Sequence, residues 1–289
     1  MLSCAKRRER PHLGIKPILT AYAESTDSGR TFQKPLLHFA RLGNSTANNI
    51  IDHRPRIGAV FIDATEPPGS SRRYRAVSGN TMHTSADGLT WAVEGVLAVP
   101  SAPLFSKAWG LGAFDTEGVA FWDPPCSCFS FYTRCDGGYG TSSYFRMVRR
   151  ARAANLSKMG SGHDGPLLGE WINQSVVMRA DALDNATHPS GDPEHKPALD
   201  YYGSTPWRDT ASGMYFMAAV RYWHWSASAP WHRPGTYDIG LAASRDGADF
   251  RFVEREAWLR PGLDGSVGTP SWRWNCSWDS KYFTFLNPV

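Results

Sequence analysis

The stretch VAFWDPPCSCFSFYTR, residues 119–134, shows the pattern from which the fold can be predicted. An apolar, aromatic-rich run leads into an acidic turn at Asp123, and a second run rich in Phe and Tyr follows. Two such runs joined by a Pro-containing turn are typical of a β-hairpin. The same order recurs at residues 59–77, 206–220 and 274–286, so we interpret Asp123 as one copy of a repeated structural turn. The turn acids in register are Asp63, Asp123, Asp209 and Asp279.

A second, turn-like motif occurs three times. It reads STDSGRTF at 25–32, SADGLTW at 85–91 and SRDGADF at 244–250. In each copy a Ser precedes an Asp by two positions, a Gly follows the Asp within two, and an aromatic residue closes the motif. We expect the Asp to accept hydrogen bonds from backbone N–H groups, the Gly to adopt a positive φ, and the aromatic side chain to enter the core. These aspartates are therefore predicted to be structural.

Composition and repeat spacing together predict an all-β, five-bladed β-propeller whose first blade is incomplete. The 289 residues include 27 Gly and 20 Pro, and 13% are aromatic, which favours strands and turns over helices. Asp27 and Asp87 are 60 residues apart, as are Asp63 and Asp123. Sheets repeating at this interval indicate propeller blades, and the chain accommodates about five of them. The first recognisable strand, within residues 18–26, already leads into a turn motif, so the inner strands of the first blade are not found.

We divide the chain into a basic N-terminal tail, residues 1–17, and a propeller domain, residues 18–289. The run KRRER in the tail and the run RMVRRAR at 146–152 are both interpreted as solvated surface. Residues 155–198, which hold GSGHDGP and NATHPSGDPEHKP, are predicted to form a long surface loop.

Several classes of function are excluded by the sequence. The net charge of +4 is too small to indicate nucleic-acid binding, and no run approaches the about 18 apolar residues that a membrane span needs. No nucleotide-binding glycine loop and no GxSxG turn is found, and the histidines lack metal-ligand spacing. We therefore expect no cofactor and no metal.

The compartment stays open at this stage. The N-terminus lacks the apolar core of a signal peptide, whereas five Asn-x-Ser/Thr sequons would suit a secreted protein whose leader is missing from this chain. Of the five cysteines, Cys135 is close enough in sequence to form a disulfide with Cys126 or Cys128 across a hairpin. The sequons lie at Asn44, Asn155, Asn173, Asn185 and Asn275.

The candidate site is predicted where the inner strands of the blades begin, around the propeller axis. Counting back eight or nine residues from the turn acids reaches two further acids, Asp115 and Asp200. Glu117 follows two residues after Asp115 and so shares its strand face. Cleavage of a glycosidic bond needs one carboxyl group to protonate the leaving oxygen and another to stabilise or attack the anomeric carbon. Asp115 and Asp200 are therefore the predicted acid pair, with Glu117 beside them.

Three further residues are predicted to bind the substrate. Counting back from the turn acid Asp63 in the same way reaches Arg54, which would hold a hydroxyl or a carboxylate. Tyr202 and Trp207 follow Asp200 and would stack on sugar faces; packing between blades is the alternative interpretation for such aromatic residues.

In this order, the motifs resemble those of a known group of proteins. STDSGRTF is similar to the Asp-box of sialidases. The ordered set TAYAESTDSGRTFQKP, NNII, RYRAV, SADGLTW, FDTEGVAFWDP, SRDGADF and LRPG resembles uncharacterised five-bladed propeller proteins related to glycoside hydrolase families 32 and 43. The resemblance implies three acids around a central funnel. LDYYG at 199–203 resembles a fourth-blade motif in which Asp200 and Tyr202 face that funnel.

The resemblance also leaves two possible functions. No residue matches the nucleophile that these families carry on the first blade, and Thr116, Glu117 and Gly118 depart from the group's pattern. We predict a glycoside hydrolase-like protein acting on a carbohydrate through Asp115 and Asp200, with Glu117 as a substitute or modulator. The alternative is a carbohydrate-binding or interaction propeller that has lost catalysis.

Overall fold

The computed structural model shows an all-β architecture, as the sequence predicts. It describes residues 20–52, 59–78, 81–98, 118–137, 145–154, 156, 158–162, 165–170, 172–186, 199–224 and 235–260. Within these residues the only α-helix is α1 (Ala182–Ala186). The strands are β1 (Thr20–Ala21), β2 (Ile50–Asp52), β3 (Ala59–Ile62), β4 (Tyr74–Ser78), β5 (Thr81–Ser85), β6 (Ala92–Ala98), β7 (Val119–Asp123), β8 (Cys128–Gly137), β9 (Phe145–Ala153), β10 (Lys158–Gly162), β11 (Gly165–Glu170), β12 (Ile172–Met178), β13 (Leu199–Arg208), β14 (Tyr215–His224), β15 (Gly235–Ser244) and β16 (Arg251–Phe252).

Four-stranded antiparallel units follow one another along the chain, which is consistent with propeller blades. β3 to β6 form the first unit, β7, β8, β9 and β12 the second, and β13 to β16 the third. β1 and β2 form a separate two-stranded sheet. The number of blades, the incomplete first blade and the boundary after residue 17 stay predictions, since residues 1–19 and 261–289 lie outside the described part of the chain.

The prediction of a long loop at residues 155–198 is wrong for the part that the structure describes. β10 and β11 form a hairpin within it, and β11 adds in parallel to β6, with Leu167 opposite Val96. β12 pairs with β9 on the neighbouring sheet. Short apolar runs between the Gly and Pro residues thus extend two sheets, because an uncovered sheet edge leaves backbone hydrogen-bonding groups without partners.

The turn-like motifs at 25–32, 85–91 and 244–250, called here the Ser-x-Asp turns, have the geometry predicted from their sequence. In the copy at 244–250, Asp246 accepts hydrogen bonds from the N–H groups of Ala248 and Asp249 at 2.8 and 3.0 Å. Gly247 adopts a φ of 70°, which a residue with a side chain rarely takes. The aspartates of these turns therefore stabilise the turns themselves.

The third part of that prediction, burial of the closing aromatic, holds for two copies. Trp91 and Phe250 are both 9% exposed, whereas Phe32 is 62% exposed. Trp91 and Phe250 lie beside sheets of at least four strands. Phe32 follows β1, whose described sheet has only two strands and offers less apolar surface to pack against.

The aspartates of these turns make the stability of the protein depend on acid pH. Hydrogen bonds from backbone N–H groups lower the pKa of Asp246 from 3.8 to about 2, and the N–H group of Asp249 has the largest effect. Thr31 does the same for Asp27, whose pKa is also about 2. A lowered pKa stabilises the folded state above pH 4, and this contribution is lost as the pH falls from about 4 to about 2.

We expect unfolding by urea, measured by circular dichroism at a series of pH values, to show this loss. The variant Asp246→Asn should have a smaller decrease in unfolding free energy over the same pH interval, because its side chain no longer titrates. Parallel pH curves for the variant and the wild type would contradict the assignment.

The turn acid Asp123 connects two neighbouring sheets. Asp123 is fully buried and accepts a hydrogen bond from Tyr215 Oη at 2.6 Å and one from Ser130 Oγ at 3.1 Å. Burial is the main cause that raises the pKa of Tyr215 to about 12, and the hydrogen bond to Asp123 is the second cause. Tyr215, at the start of β14, pairs with Arg208 at the end of β13 and with Ser244 at the end of β15. The turns that follow β13 and β15 therefore lie at the same end of the sheet, called here the turn end. These contacts support the structural interpretation of Asp123.

The turn after β7 also holds a disulfide, which joins Cys126 to Cys128. The predicted pairing of Cys135 with one of these cysteines is therefore wrong. Ser127 adopts a φ of 48° at this turn, and the two Cα atoms of the bridged cysteines lie 5.2 Å apart. Cys135 lies seven residues after Cys128 along β8, towards the other end of the sheet.

Candidate functional site

At the end of the sheets opposite the turn end, one acid and three tyrosines lie together. Asp200, near the start of β13, pairs in register with Tyr222 of β14, and Tyr222 pairs with Tyr237 of β15. Directly opposite residues share a face of the sheet. Tyr202 lies at a register shift in β13, and its ring contacts with Tyr222 and Tyr237 place it on the same face. The rings of Tyr222 and Tyr237 stack at 4.4 Å, and Tyr202 meets Tyr237 edge-on at 5.6 Å. Tyr202, Tyr222 and Tyr237 are called here the tyrosine cluster.

A charged pair joins this cluster to the neighbouring sheet. Asp200 Oδ1 accepts a hydrogen bond from the backbone N–H of Arg146 at 3.0 Å, and Oδ2 accepts one from Arg146 Nη1 at 2.7 Å. The side chain of Asp200 is 1% exposed and that of Arg146 is 16% exposed. Both carboxylate oxygens are thus engaged by one arginine, so Asp200 fixes the position of Arg146.

The guanidinium groups of two arginines also lie over a ring of the cluster. The distance from the Tyr202 ring centroid to the guanidinium carbon is 5.0 Å for Arg146 and 5.3 Å for Arg134. Both distances are within the range of cation–π attraction. The arrangement therefore places two largely buried guanidinium groups beside partly exposed tyrosines.

The phenol of Tyr222 is held in its neutral form. Burial is the main cause that raises its pKa, and Asp200 raises it further, while Arg146 acts in the opposite direction. A neutral phenol both donates and accepts hydrogen bonds. At neutral pH the site therefore combines phenols, cationic donors and flat apolar rings.

The structure brings together two of the six predicted site residues, Asp200 and Tyr202. Trp207 lies at the turn end of β13, seven residues after Asp200, and stacks on Phe216 at 5.7 Å. At about 3.3 Å per residue, Trp207 is roughly 20 Å from Asp200. Its predicted role in substrate binding stays a prediction. The other predicted site residues lie outside the described residues; they are Arg54, Asp115 and Glu117.

Sequence reasoning missed the arginines of this site. The run at 146–152 was predicted to be solvated surface, and this is wrong: Arg149 is 3% exposed and Arg150 is 7% exposed. Arg150 Nη1 donates to the carbonyl of Asp246 on the next sheet at 2.8 Å. The available signal was the mixture of arginines with Met and Val, which suits a strand whose long side chains extend to a neighbouring sheet.

Two further observations concern the part of the chain that the structure describes. No group of three or more His, Cys, Asp or Glu residues there is arranged to hold a metal ion. In the same residues, no helix combines the length and the apolar character required to cross a bilayer.

Comparison with known proteins gives only distant similarity. No family model matches the chain, and no curated protein matches it. Among solved structures, the chain is similar to an N-acetylgalactosamine deacetylase from F. plautii in complex with blood group B trisaccharide. The identity is 13% and the TM-score 0.33, over 87% of this chain and 77% of that one. It is also similar to an exo-beta-1,3-galactanase from Clostridium thermocellum, at 14% identity and a TM-score of 0.28, over 62% of this chain and 45% of that one.

Proposed function

We propose that the protein is a glycoside hydrolase-like propeller that binds a carbohydrate at the end of its sheets opposite the turn end. The observation that carries this proposal is the tyrosine cluster, partly exposed and adjoining the Arg146–Asp200 pair. Sugar rings have apolar C–H faces that pack on aromatic rings and hydroxyl groups that need donors and acceptors. A site combining flat rings with guanidinium and phenol groups meets both requirements.

For hydrolysis, the proposal divides the work between two carboxylates. Asp200 has both oxygens engaged by Arg146. We assign to it a fixed negative charge beside the sugar and the positioning of Arg146. Asp115 is assigned the proton transfer to the leaving oxygen, with Glu117 as substitute or modulator. Arg54 is assigned to substrate binding together with Tyr202.

The engagement of Asp200 by Arg146 also favours a second candidate function. A carboxylate whose two oxygens already accept hydrogen bonds is poorly placed to attack an anomeric carbon. The second candidate is therefore a propeller that binds a carbohydrate without cleaving it. Both candidates share the same site and differ only in turnover.

The test combines binding to a glycan panel with hydrolysis of a series of aryl glycosides. We expect Tyr237→Ala to weaken glycan binding about tenfold, since it removes one of the stacked rings. Asp115→Asn should abolish hydrolysis while binding persists. A matched control is Asp249→Asn, because Asp249 pairs with Arg251 on an exposed surface, with 69% of its own side chain exposed.

The outcomes separate the two candidates. Hydrolysis that requires Asp115 supports the enzyme. Binding that depends on Tyr237 without any hydrolysis supports the binding protein. Absence of binding to every glycan of the panel, or binding that Tyr237→Ala leaves unchanged, contradicts the proposed site.

A further inference from the structure

A cavity lies at the turn end, between the sheet of β3 to β6 and the sheet of β7, β8, β9 and β12. Its volume is about 250 Å³. One wall is polar and comes from the hairpin joining β3 to β4, with Glu66, Arg72 and Arg75 among its residues. The opposite wall is apolar and includes Trp122 and Phe129. The cavity is thus amphipathic, with one polar and one apolar side.

On the polar wall, one carboxylate oxygen of Glu66 and one guanidinium nitrogen of Arg72 form no normal hydrogen bond with the described residues. Glu66 Oε1 lies 3.5 Å from Arg72 Nε and 3.7 Å from Arg75 Nη2, both longer than a normal hydrogen bond. Arg72 Nε is buried and has no hydrogen-bond partner there. The Glu66 carboxylate, whose side chain is 22% exposed, can therefore accept a hydrogen bond from a ligand, whereas Arg72 Nε is too deeply buried for a ligand to reach it.

The charges of the described lining residues cancel. Asp63 forms an ion pair with Arg75 at 2.7 Å, and Glu66 lies between Arg75 and Arg72. Glu94, which does not line the cavity, pairs with both arginines, and the guanidinium group of Arg73 donates to the carbonyls of Asp63 and Glu66. With these neighbours included, the carboxylates and guanidinium groups still balance and leave no net charge to attract an ionic ligand. The cavity therefore favours a neutral ligand with several hydroxyl groups.

The apolar wall is held in place by its neighbours. Trp122 packs edge-to-face on Phe129 at 5.0 Å, and the two residues belong to β7 and β8 on either side of the disulfide-bearing turn. Trp122 is only partly buried. An indole ring fixed in this way offers a flat surface to the C–H face of a sugar.

We infer that this cavity is a second carbohydrate site, which takes a single neutral monosaccharide unit between Trp122 and the Glu66–Arg72 wall. The volume lies just below that of typical drug-sized pockets, which suits one sugar ring rather than an oligosaccharide. The inference is independent of the proposed function. β13 runs from Asp200 to the turn end over roughly 25 Å, so the two sites lie at opposite ends of the sheets.

The test measures binding of neutral monosaccharides by saturation-transfer NMR and titration calorimetry, with glucose, galactose, mannose and fucose as probes. Ala154 lines the cavity and is exposed, so Ala154→Phe should fill the cavity and weaken binding at least about tenfold without disturbing the core. Ala211→Phe, at an exposed position in the turn between β13 and β14, is the matched control. Glu66→Gln gives a second variant that removes a charge but keeps the volume.

The variant Tyr237→Ala separates this site from the first one. Binding that is lost in Ala154→Phe, weakened in Glu66→Gln and retained in Tyr237→Ala supports the inference. Loss only in Tyr237→Ala assigns the monosaccharide to the tyrosine cluster and overturns it. Failure of all four neutral sugars to bind the wild type, or stronger binding of glucuronic acid or glucosamine, also overturns it.

Discussion

Replacing Asp200 with Ala is expected to lower the free energy of unfolding by about 3 kcal/mol, because it removes one partner of a buried ion pair. Asp200 is 1% exposed and Arg146 only 16%, so the remaining guanidinium loses this counter-charge where water reaches it poorly. The backbone N–H of Arg146 also loses its acceptor at 3.0 Å. Urea unfolding followed by tryptophan fluorescence measures the change.

A double-mutant cycle tests whether the pair itself is responsible. Adding Arg146→Met to Asp200→Ala should restore part of the lost stability, since removing both charges costs less than leaving one uncompensated. Asp249→Ala breaks an exposed pair with Arg251 and should cost less than about 1 kcal/mol. Equal losses for Asp200→Ala and Asp249→Ala would show that burial of the Arg146–Asp200 pair has no energetic consequence.

The variant Gly247→Ala is expected to destabilise the protein by a similar amount, about 3 kcal/mol. Its φ of 70° costs a residue with a Cβ about 1 kcal/mol. An added Cβ would also lie 2.7 Å from Tyr132 Oη and 3.1 Å from Tyr215 Cδ1, which adds about 2 kcal/mol of overpacking. Tyr132 Oη donates to the Gly247 carbonyl at 2.8 Å, so the clash would disturb the contact between two sheets.

The chain contains a matched control for this substitution. Gly88 occupies the equivalent position of another Ser-x-Asp turn, with a φ of 74°, and its nearest neighbour to an added Cβ is Tyr74 Cδ1 at 3.9 Å. Gly88→Ala should therefore cost only the backbone contribution of about 1 kcal/mol. Thermal unfolding of both variants gives the difference. Equal shifts in Tm would mean that contact between the sheets adds nothing at Gly247.

The strands and turns could be predicted because their signals are local. The hydrogen bonds of Asp246 reach residues two and three positions away, so the order Ser-x-Asp-Gly contains the whole interaction. The strand–turn–strand pattern around Asp123 is equally local. The strands β10, β11 and β12 were missed, because the strands with which β11 and β12 pair belong to distant parts of the chain.

The candidate site could be predicted only in part. Counting back from the turn acid placed Asp200 at the start of β13 together with Tyr202. It did not find Arg146, which lies 54 residues before Asp200 in the chain and reaches Asp200 from the neighbouring sheet. Nor did it show that Trp207 lies at the turn end, since one strand about 30 Å long extends to both ends of the sheet.

By itself, the sequence determined the all-β class, the repeated hairpins and the structural role of the turn aspartates. These features depend on backbone preferences and hydrogen bonds within a few residues. The tertiary structure alone decided that Asp200 is engaged by Arg146, that Asp123 binds Tyr215, and that a mixed polar and apolar cavity opens between two sheets. Those features arise where side chains far apart in sequence are desolvated together, and burial is a property of the packed sheets that no local pattern contains.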